Sequence, residues 1–277
     1  MSQLCALEKD ASWQPAVRLE LKRAYDKVLS PFTDEPDVFR SVMRDTGSVI
    51  SGSTALWYLM RMPDSWTPND MDIVTPYSSF SDVLSYLMTL PGATLIDEQA
   101  DDYRFLPGYC CRYRVRTTGG YIDILQSRTD SPLTVITGYW STHVMNAMSA
   151  DAFWSAYPSL TLAGIGIYNL TPEGGSYTYA VERHGQRGFR ISSADDFVHD
   201  IDLGRTCDGY SACPRLDRVW GDEFTLKMPL THDSVGSLMD SLVGTHTVAW
   251  RLGTPGCGNF KCLLDTDFRN YCVQWTE

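Results

Sequence analysis

Three aspartates and a Gly-Ser pair are the residues of this chain whose types and spacing could do chemistry. Asp70 and Asp72 are two residues apart in an apolar run, so in a strand they would share one face of the sheet. Two carboxylates on one face repel each other unless a cation lies between them. Gly52-Ser53 ends a short apolar run and begins a helical pattern, where unpaired backbone N–H groups suit a phosphate. Together these features predict phosphoryl or nucleotidyl transfer with a bound metal.

The third aspartate, Asp123, lies between two isoleucines in another apolar segment. A lone carboxylate there is costly without a partner. It is therefore either a site residue or a hydrogen-bonded residue at a sheet edge. The alternating residues 111–116, the turn Thr117–Gly120 and the apolar residues 121–125 predict a hairpin that contains it.

Hydrophobic periodicity predicts the elements that must position these residues. Helices are expected over 15–29, 37–44, 54–62 and 78–90, strands over 48–51, 70–74 and 93–96, and two short helices within 131–157. Ser53 or Thr54 is expected to cap the third helix. Beyond Gly164 the chain is rich in turn formers. We therefore divide it into a catalytic domain, 1–165, and a C-terminal region, 166–277, and we expect the second region to close the cleft that contains the aspartates.

Composition narrows the class of partner. The chain has 277 residues, a net charge of −11 and a pI of about 4.8, which disfavours a polymeric nucleic acid as partner. Arg112, Arg114 and Arg116 share one strand face and could form a local basic patch, and the alternative is a solvated strand face. The N-terminal residues lack a signal-peptide pattern and no apolar run approaches a membrane span, so a cytoplasmic location without membrane contact is expected.

Cysteine and histidine residues of the second half raise a separate metal hypothesis. A structural Zn²⁺ could be bound by members of one set: His199, Cys207, Cys213, Cys257 and Cys262. The spacings are looser than those of common zinc knuckles. Buried thiols and disulfides are the alternatives, and a cytoplasmic location argues against disulfides.

One motif indicates a different class of enzyme, an aspartic protease. Asp45-Thr46-Gly47 matches the signature of an aspartic protease, which needs a second such motif. Asp233-Ser234-Val235 is the nearest candidate and lacks the glycine. A helix C-cap followed by a turn is the better interpretation.

The ordered set Gly52-Ser53, Asp70-Met71-Asp72 and Ile122-Asp123-Ile124 resembles the signature of the nucleotidyltransferase fold superfamily, the polymerase-beta-like proteins. The resemblance covers about residues 35 to 150. The segments 125–127, 140–146 and 157–161 are also similar to uncharacterised fungal members of the superfamily. The loop Pro63–Asn69 makes the gap before Asp70 longer than is usual in the family, and the extra length can be accommodated at the surface.

This resemblance implies an α+β fold, with a mixed sheet, packed helices and an irregular α/β C-terminal region. It also implies that Asp70, Asp72 and Asp123 hold Mg²⁺ or Mn²⁺, and that Gly52 and Ser53 bind the phosphates of a nucleoside triphosphate. The implied reaction transfers a nucleoside monophosphate to a hydroxyl group, with a small molecule or protein favoured as acceptor. A catalytically inactive binding or regulatory module is the alternative.

Three arginines in the second half could also contact a triphosphate. Arg183, Arg187 and Arg190 surround His184 and Gly185 in a segment that could cover the site. The alternative is surface charge on an amphipathic helix.

Overall fold

A computed structural model describes residues 1–100, 108–169, 176–193, 211, 213, 216–230, 248–252 and 274–275. Within these residues, helices and strands alternate irregularly around one mixed β-sheet, which confirms the expected α+β fold. The helices are α1 (Ser2–Glu8), α2 (Gln14–Leu29), α3 (Pro36–Thr46), α4 (Gly52–Leu59), α5 (Phe80–Leu87), α6 (Leu133–Thr137), α7 (Pro158–Leu162) and α8 (Ser176–Gln186). None of the helices in the described part has the length and apolar character that a membrane crossing requires.

The strands form three sheets. They are β1 (Val49–Ser51), β2 (Asp70–Thr75), β3 (Thr94–Ala100), β4 (Tyr109–Thr117), β5 (Gly120–Ser127), β6 (Asn146–Met148), β7 (Ala152–Ser155), β8 (Ile165–Ile167), β9 (Arg190–Ser192), β10 (Arg218–Val219), β11 (Leu226–Pro229), β12 (Val248–Trp250) and β13 (Gln274–Trp275). The main sheet has eight strands in the order β11-β7-β6-β1-β2-β5-β4-β3. The neighbouring strands β2 and β5 are parallel, and every other pair in this sheet is antiparallel.

Alternation along β2 and β5 separates a face that packs against helices from the face that carries the aspartates, where Val74 and Leu125 are buried in a second apolar cluster. Met71 and Ile73 of β2 and Ile122 and Ile124 of β5 are buried in one cluster with the apolar sides of α2, α3 and α5. Because successive side chains of a strand point to opposite faces, the aspartates between these residues must lie on the other face. The apolar residues that build the core therefore also orient the carboxylates.

Two strands from the second half of the chain, β10 and β11, contact residues of the first half. β11 pairs with β7 over four residues and so extends the main sheet. Arg218 of β10 is buried and donates to the carbonyl of Ala156 while forming an ion pair with Asp222. The division at residue 165 stays a prediction, and most of the irregular C-terminal region lies outside the described residues.

The prediction of two helices within residues 131–157 is wrong in its second half. Only α6 and a short 3-10 turn at Thr142–Val144 are helical there, and they are followed by the strands β6 and β7. Trp140, Val144 and Met148 recur at a spacing of four, which imitates a helix. Pairing of β6 with β1 and of β7 with β11 overrides that pattern.

The Asp45-Thr46-Gly47 motif is the end of α3, as expected. Gly47 has a φ of 66°, and its N–H donates to the carbonyl of Arg44 in a helix C-cap. The expected cap of α4, Ser53 or Thr54, is wrong by two or three residues, since the helix begins at Gly52 and Ser51 is the N-cap residue.

Candidate metal and nucleotide site

A row of polar side chains crosses the middle of the main sheet on the face opposite the α2, α3 and α5 core. Strand register pairs Ser51 with Asp72, Asp72 with Asp123, Asp123 with Arg114 and Arg114 with Asp97. Residues directly opposite each other in neighbouring strands point to the same face. The three predicted aspartates therefore share one face, with Asp70 two residues before Asp72.

The Gly-Ser turn and the aspartate pair meet at the start of α4. A Cβ atom placed on Gly52 would lie 1.9 Å from Oδ2 of Asp72, and the φ of Gly52 is +60°. Only glycine fits both the close approach and this backbone conformation. The long loop Pro63–Asn69 therefore does not separate Asp72 from the turn, because the antiparallel pairing of β1 with β2 brings them together.

The first turn of α4 leaves polar groups unused. Ser51, its N-cap residue, donates its hydroxyl to the carbonyl of Asn146 at 2.6 Å and so does not cap the N–H groups of the turn, and the Ser53 hydroxyl is buried without a hydrogen-bond partner in the described structure. The hydroxyl of Thr54 instead donates to the backbone carbonyl of Asp70 at 2.9 Å, which fixes α4 against the start of β2. Unpaired N–H and O–H donors beside a carboxylate suit a phosphate held together with a cation.

Asp72 is the carboxylate without a partner. Within the described residues it makes no hydrogen bond or ion pair. Burial and the charges of Asp70 and Asp123 together raise the pKa of Asp72 to about 8, against the opposing effect of Arg114 and Arg112. A carboxylate in this setting takes up either a proton or a cation.

Asp123 is paired differently, with an arginine of the adjacent strand. Its two oxygens accept from Nε of Arg114 at 2.7 Å and from Nη2 of Arg114 at 2.6 Å, and its side chain is only 5% exposed. Nη1 of Arg112 lies 3.7 Å away. The edge-residue alternative for Asp123 is wrong, because β5 lies between β2 and β4 inside the sheet.

Sequence reasoning missed this ion pair, although a signal for it was present. Thr117 pairs with Gly120 across the hairpin turn, and counting back three residues on each strand places Arg114 opposite Asp123. The Arg114–Asp123 pair also bears on the strand face that carries Arg112, Arg114 and Arg116. Arg112 and Arg114 form ion pairs with Asp97, Asp123 and Asp70, while Arg116 is exposed. The face is thus neither solvated throughout nor an open basic patch.

The donor set fits one divalent cation. Asp70 and Asp72 supply carboxylate oxygens, the ligands that Mg²⁺ and Mn²⁺ prefer, and Mg²⁺ is commonly held by one or two carboxylates plus substrate phosphates. In the described part of the chain, no three His, Cys, Asp or Glu side chains converge as a metal-binding group. At this site both oxygens of Asp123 accept from Arg114, which leaves Asp70 and Asp72 as the carboxylates available to a cation.

Helix α8 brings the charge of Arg187 towards Asp70. The guanidinium of Arg187 lies 4.3 Å from the ring centroid of Trp66, in the loop that precedes β2. Burial and the charge of Arg183 lower the pKa of Arg187 to about 10, whereas Asp70 opposes that shift. Arg183 has a buried N–H group, at Nη2, without a hydrogen-bond partner in the described structure. Arg190 is exposed, but it lies in the strand β9 and not on the amphipathic helix that the surface-charge alternative supposes.

A buried histidine pair, which the sequence did not predict, holds α8 in place. Nε2 of His143 lies 2.8 Å from Nδ1 of His184, and Oγ of Ser141 lies 2.9 Å from Nδ1 of His143. Nη1 of Arg187 approaches Nε2 of His184 at 3.5 Å. An arginine can only donate, so Nε2 of His184 accepts and each histidine is neutral. Burial lowers the pKa of His143 and of His184, the latter to about 3.

The zinc hypothesis falls mainly outside the described residues. Cys213 is buried, and His199, Cys207, Cys257 and Cys262 lie in the parts of the chain that the structure does not describe. Structural Zn²⁺ stays a prediction.

No known family model matches this sequence, and no curated protein matches it. Among solved structures, the chain is similar to a CCA-adding enzyme in its apo form, with a TM-score of 0.39 and 15% sequence identity. The match covers 65% of this chain and 46% of that one, so it spans less than half of that enzyme's length. The resemblance to fungal members of the nucleotidyltransferase superfamily stays a prediction.

Proposed function

We propose that this protein is a divalent-cation-dependent nucleotidyltransferase. It would transfer a nucleoside monophosphate from a nucleoside triphosphate to a hydroxyl group and release pyrophosphate. The observation that supports this most directly is the approach of Asp72 to Gly52, where a carboxylate with no partner among the described residues touches the first turn of α4. A cation on that carboxylate and a phosphate on the N–H groups of that turn would be neighbours.

Each residue of the site has a role in this proposal. Asp70 and Asp72 would hold Mg²⁺ or Mn²⁺, which when bound neutralises phosphate oxygens and polarises the reacting phosphorus centre. Gly52 and Ser53 would bind the terminal phosphates through backbone N–H groups and the Ser53 hydroxyl. Asp123 would fix the Arg114 guanidinium beside Asp70.

Helix α8 would supply further positive charge for the triphosphate. Arg183 and Arg187 form no ion pair in the described structure, and Arg183 has an unused buried N–H group. Charge-assisted hydrogen bonds from guanidinium groups to phosphates are strong and directional. Positioning and electrostatic stabilisation account for most catalysis of this reaction class, so the chain need not supply a covalent nucleophile.

The acceptor in this proposal is a small molecule or a protein side chain. The net charge of −11 repels a polymeric nucleic acid, and two arginines of the β4 face are already paired with aspartates. The location remains cytoplasmic in this proposal, as the sequence predicts.

A second candidate is a nucleotide-binding module without catalytic activity. The observation that favours it is the engagement of both Asp123 oxygens by Arg114, because this removes one carboxylate from metal binding.

A screen for pyrophosphate release tests the proposal and separates the two candidates. The protein is incubated with each of the four common nucleoside triphosphates, Mg²⁺ or Mn²⁺, and pools of hydroxyl acceptors. We expect release that falls by at least ~100-fold in Asp72→Asn, the scale of losing one strong active-site contact. Asp64→Asn, an exposed aspartate of the preceding loop, is the matched control. Nucleotide binding without release supports the module, and neither binding nor release overturns both candidates.

A further inference from the structure

The Arg114 guanidinium occupies the position at Asp123 where a second cation would bind. Asp123 is almost fully buried, and both its oxygens accept from Arg114 at 2.6 and 2.7 Å. A bidentate pair of this kind is short, directional and charge-assisted. A divalent cation bound to the same oxygens would lie within hydrogen-bond distance of a fixed positive charge.

Arg114 is held in this position by more than one contact. It stands directly opposite Asp123 in the β4–β5 ladder, which sets its direction on the sheet face. Its guanidinium lies 5.4 Å from the ring centroid of Tyr121, and its Nη2 atom is 3.5 Å from Oδ2 of Asp70. The guanidinium therefore bridges the carboxylates of Asp123 and Asp70.

Of the three aspartates, Asp72 alone has no positively charged side chain paired with it among the described residues. Asp123 forms ion pairs with two guanidinium groups and Asp70 forms one, with Arg114, whereas Asp72 forms none within the described residues. Asp70 and Asp72 are on one face of β2, so a cation placed on Asp72 also reaches Asp70. The described side chains thus offer one position for a cation, on Asp70 and Asp72 and beside the Arg114 guanidinium.

We propose that the site binds one divalent cation, on Asp70 and Asp72, and that Arg114 takes the place of the second cation at Asp123. This inference rests on the proposed function and makes it more specific. It differs from the two-metal arrangement that the three aspartates suggest in sequence, because Asp123 becomes the partner of a permanently charged side chain. Arg114 is then a fixed part of the electrostatics of the site, since a guanidinium stays protonated at any working pH.

Electron paramagnetic resonance with Mn²⁺ tests this inference without a measurement of activity. The full chain is saturated with Mn²⁺ in the presence of a non-hydrolysable nucleoside triphosphate. Two Mn²⁺ ions about 3.5–4 Å apart, as in two-metal sites, give a spin-coupled spectrum that an isolated ion does not. We expect one isolated ion per wild-type chain and a spin-coupled pair in Arg114→Gln. Arg116→Gln, an exposed arginine two residues along the same strand face, should keep the isolated ion.

Each other result contradicts the inference. A spin-coupled pair in the wild-type chain would overturn it and leave the proposed function intact. An isolated ion in folded Arg114→Gln would show that Arg114 does not exclude a second cation. Absence of bound Mn²⁺ from the wild-type chain would overturn this inference together with the proposed function. The wild-type spectrum decides the first and last of these even if the variant fails to fold.

Discussion

Asp72 and Gly52 approach so closely that a single added methyl group on the glycine would lie 1.9 Å from a carboxylate oxygen of the aspartate. The contact joins the strand that carries the aspartates to the helix that begins at the Gly-Ser turn. It also explains why the turn contains glycine, since its φ of +60° and the lack of space both exclude other side chains.

Gly52→Ala should therefore damage the site more than the fold. We expect a loss of about 1–3 kcal/mol in the free energy of unfolding, from overpacking and an unfavourable φ, and loss of Mn²⁺-dependent nucleotide binding. Urea denaturation and calorimetry measure the two effects. Gly185→Ala is the matched control, because a Cβ atom there meets nothing within 4 Å. Wild-type nucleotide affinity in Gly52→Ala would refute the role given to this contact.

Asp72→Asn should stabilise the protein when no divalent cation is present. The pKa of Asp72 is raised to about 8, so the folded state binds a proton that the unfolded state has released above pH 4. The stability of the wild-type chain then decreases as pH rises from about 4 to about 8, and the asparagine variant lacks this loss. We expect the variant to be more stable at pH 8 in a chelator, by up to about 1.4 kcal/mol for each pH unit between the two pKa values. Such a gain in stability at the expense of function is common when a site residue is replaced.

Urea denaturation at several pH values with chelator present measures this difference. Asp64→Asn, in the exposed part of the preceding loop, should change stability by no more than about 0.5 kcal/mol at any pH tested. A wild-type chain that is more stable than Asp72→Asn at pH 8 would contradict the assignment of Asp72 as an unpaired carboxylate.

Arg187→Gln should weaken nucleotide binding and leave Mn²⁺ binding nearly unchanged. Arg187 is half-buried against Trp66 and forms no ion pair in the described structure, so its charge is available to a phosphate. Loss of one charge-assisted hydrogen bond, worth about 1.5–3 kcal/mol, corresponds to an increase in Kd of roughly 10-fold or more. Titration calorimetry with each nucleoside triphosphate provides the measurement. Arg190→Gln is the control, since Arg190 is exposed, and an equal loss in both variants would point to general charge attraction.

The His143–His184 pair should make the fold sensitive to acid. Both pKa values are lowered, so the unfolded chain takes up protons below pH 6.5 that the folded chain does not. The contribution of the histidine pair to the free energy of unfolding is fully present above pH 6.5 and decreases as the pH falls below that value. The expected loss is about 1.4 kcal/mol per pH unit for each histidine. Titration of Asp72 changes the stability in the opposite direction over the same pH range. A variant of the pair is therefore needed to measure the effect of the histidines alone.

His143→Gln keeps a donor and an acceptor but cannot titrate. Chemical denaturation of this variant and of the wild-type chain at pH 7.5, 6.5 and 5.5 gives the difference in slope. We expect the variant to lose less stability than the wild-type chain between pH 6.5 and 5.5. Identical slopes would show that His143 is not held neutral in the folded protein.

The positions of the three aspartates on the sheet could largely be predicted from the sequence, because local hydrophobic patterns determine them. Apolar alternation in β2 and β5 puts Asp70, Asp72 and Asp123 on the face opposite the core, and helical periodicity identifies α2, α3 and α5. Even the Arg114–Asp123 pair follows from the length of the β4–β5 turn, once residues are counted from it.

Contacts between distant parts of the chain were beyond sequence reasoning. His143 and His184 are 41 residues apart and lie on separate elements, so no spacing indicates that they meet. The strands β6 and β7 pair with each other across a short turn, but their apolar spacing imitates a helix, and their outer partners, β1 and β11, lie about 70 or more residues away in sequence. Short elements of this kind take their conformation from tertiary pairing more than from their own pattern.

Calorimetric titration of the full chain with nucleoside triphosphate and Mg²⁺ tests most directly whether Asp70 and Asp72 form a cation and nucleotide site. We predict saturable binding of at least one nucleoside triphosphate that requires the divalent cation, disappears in Asp72→Asn and persists in Asp64→Asn. Absence of binding with all four nucleotides, or unchanged binding in Asp72→Asn, would contradict the account.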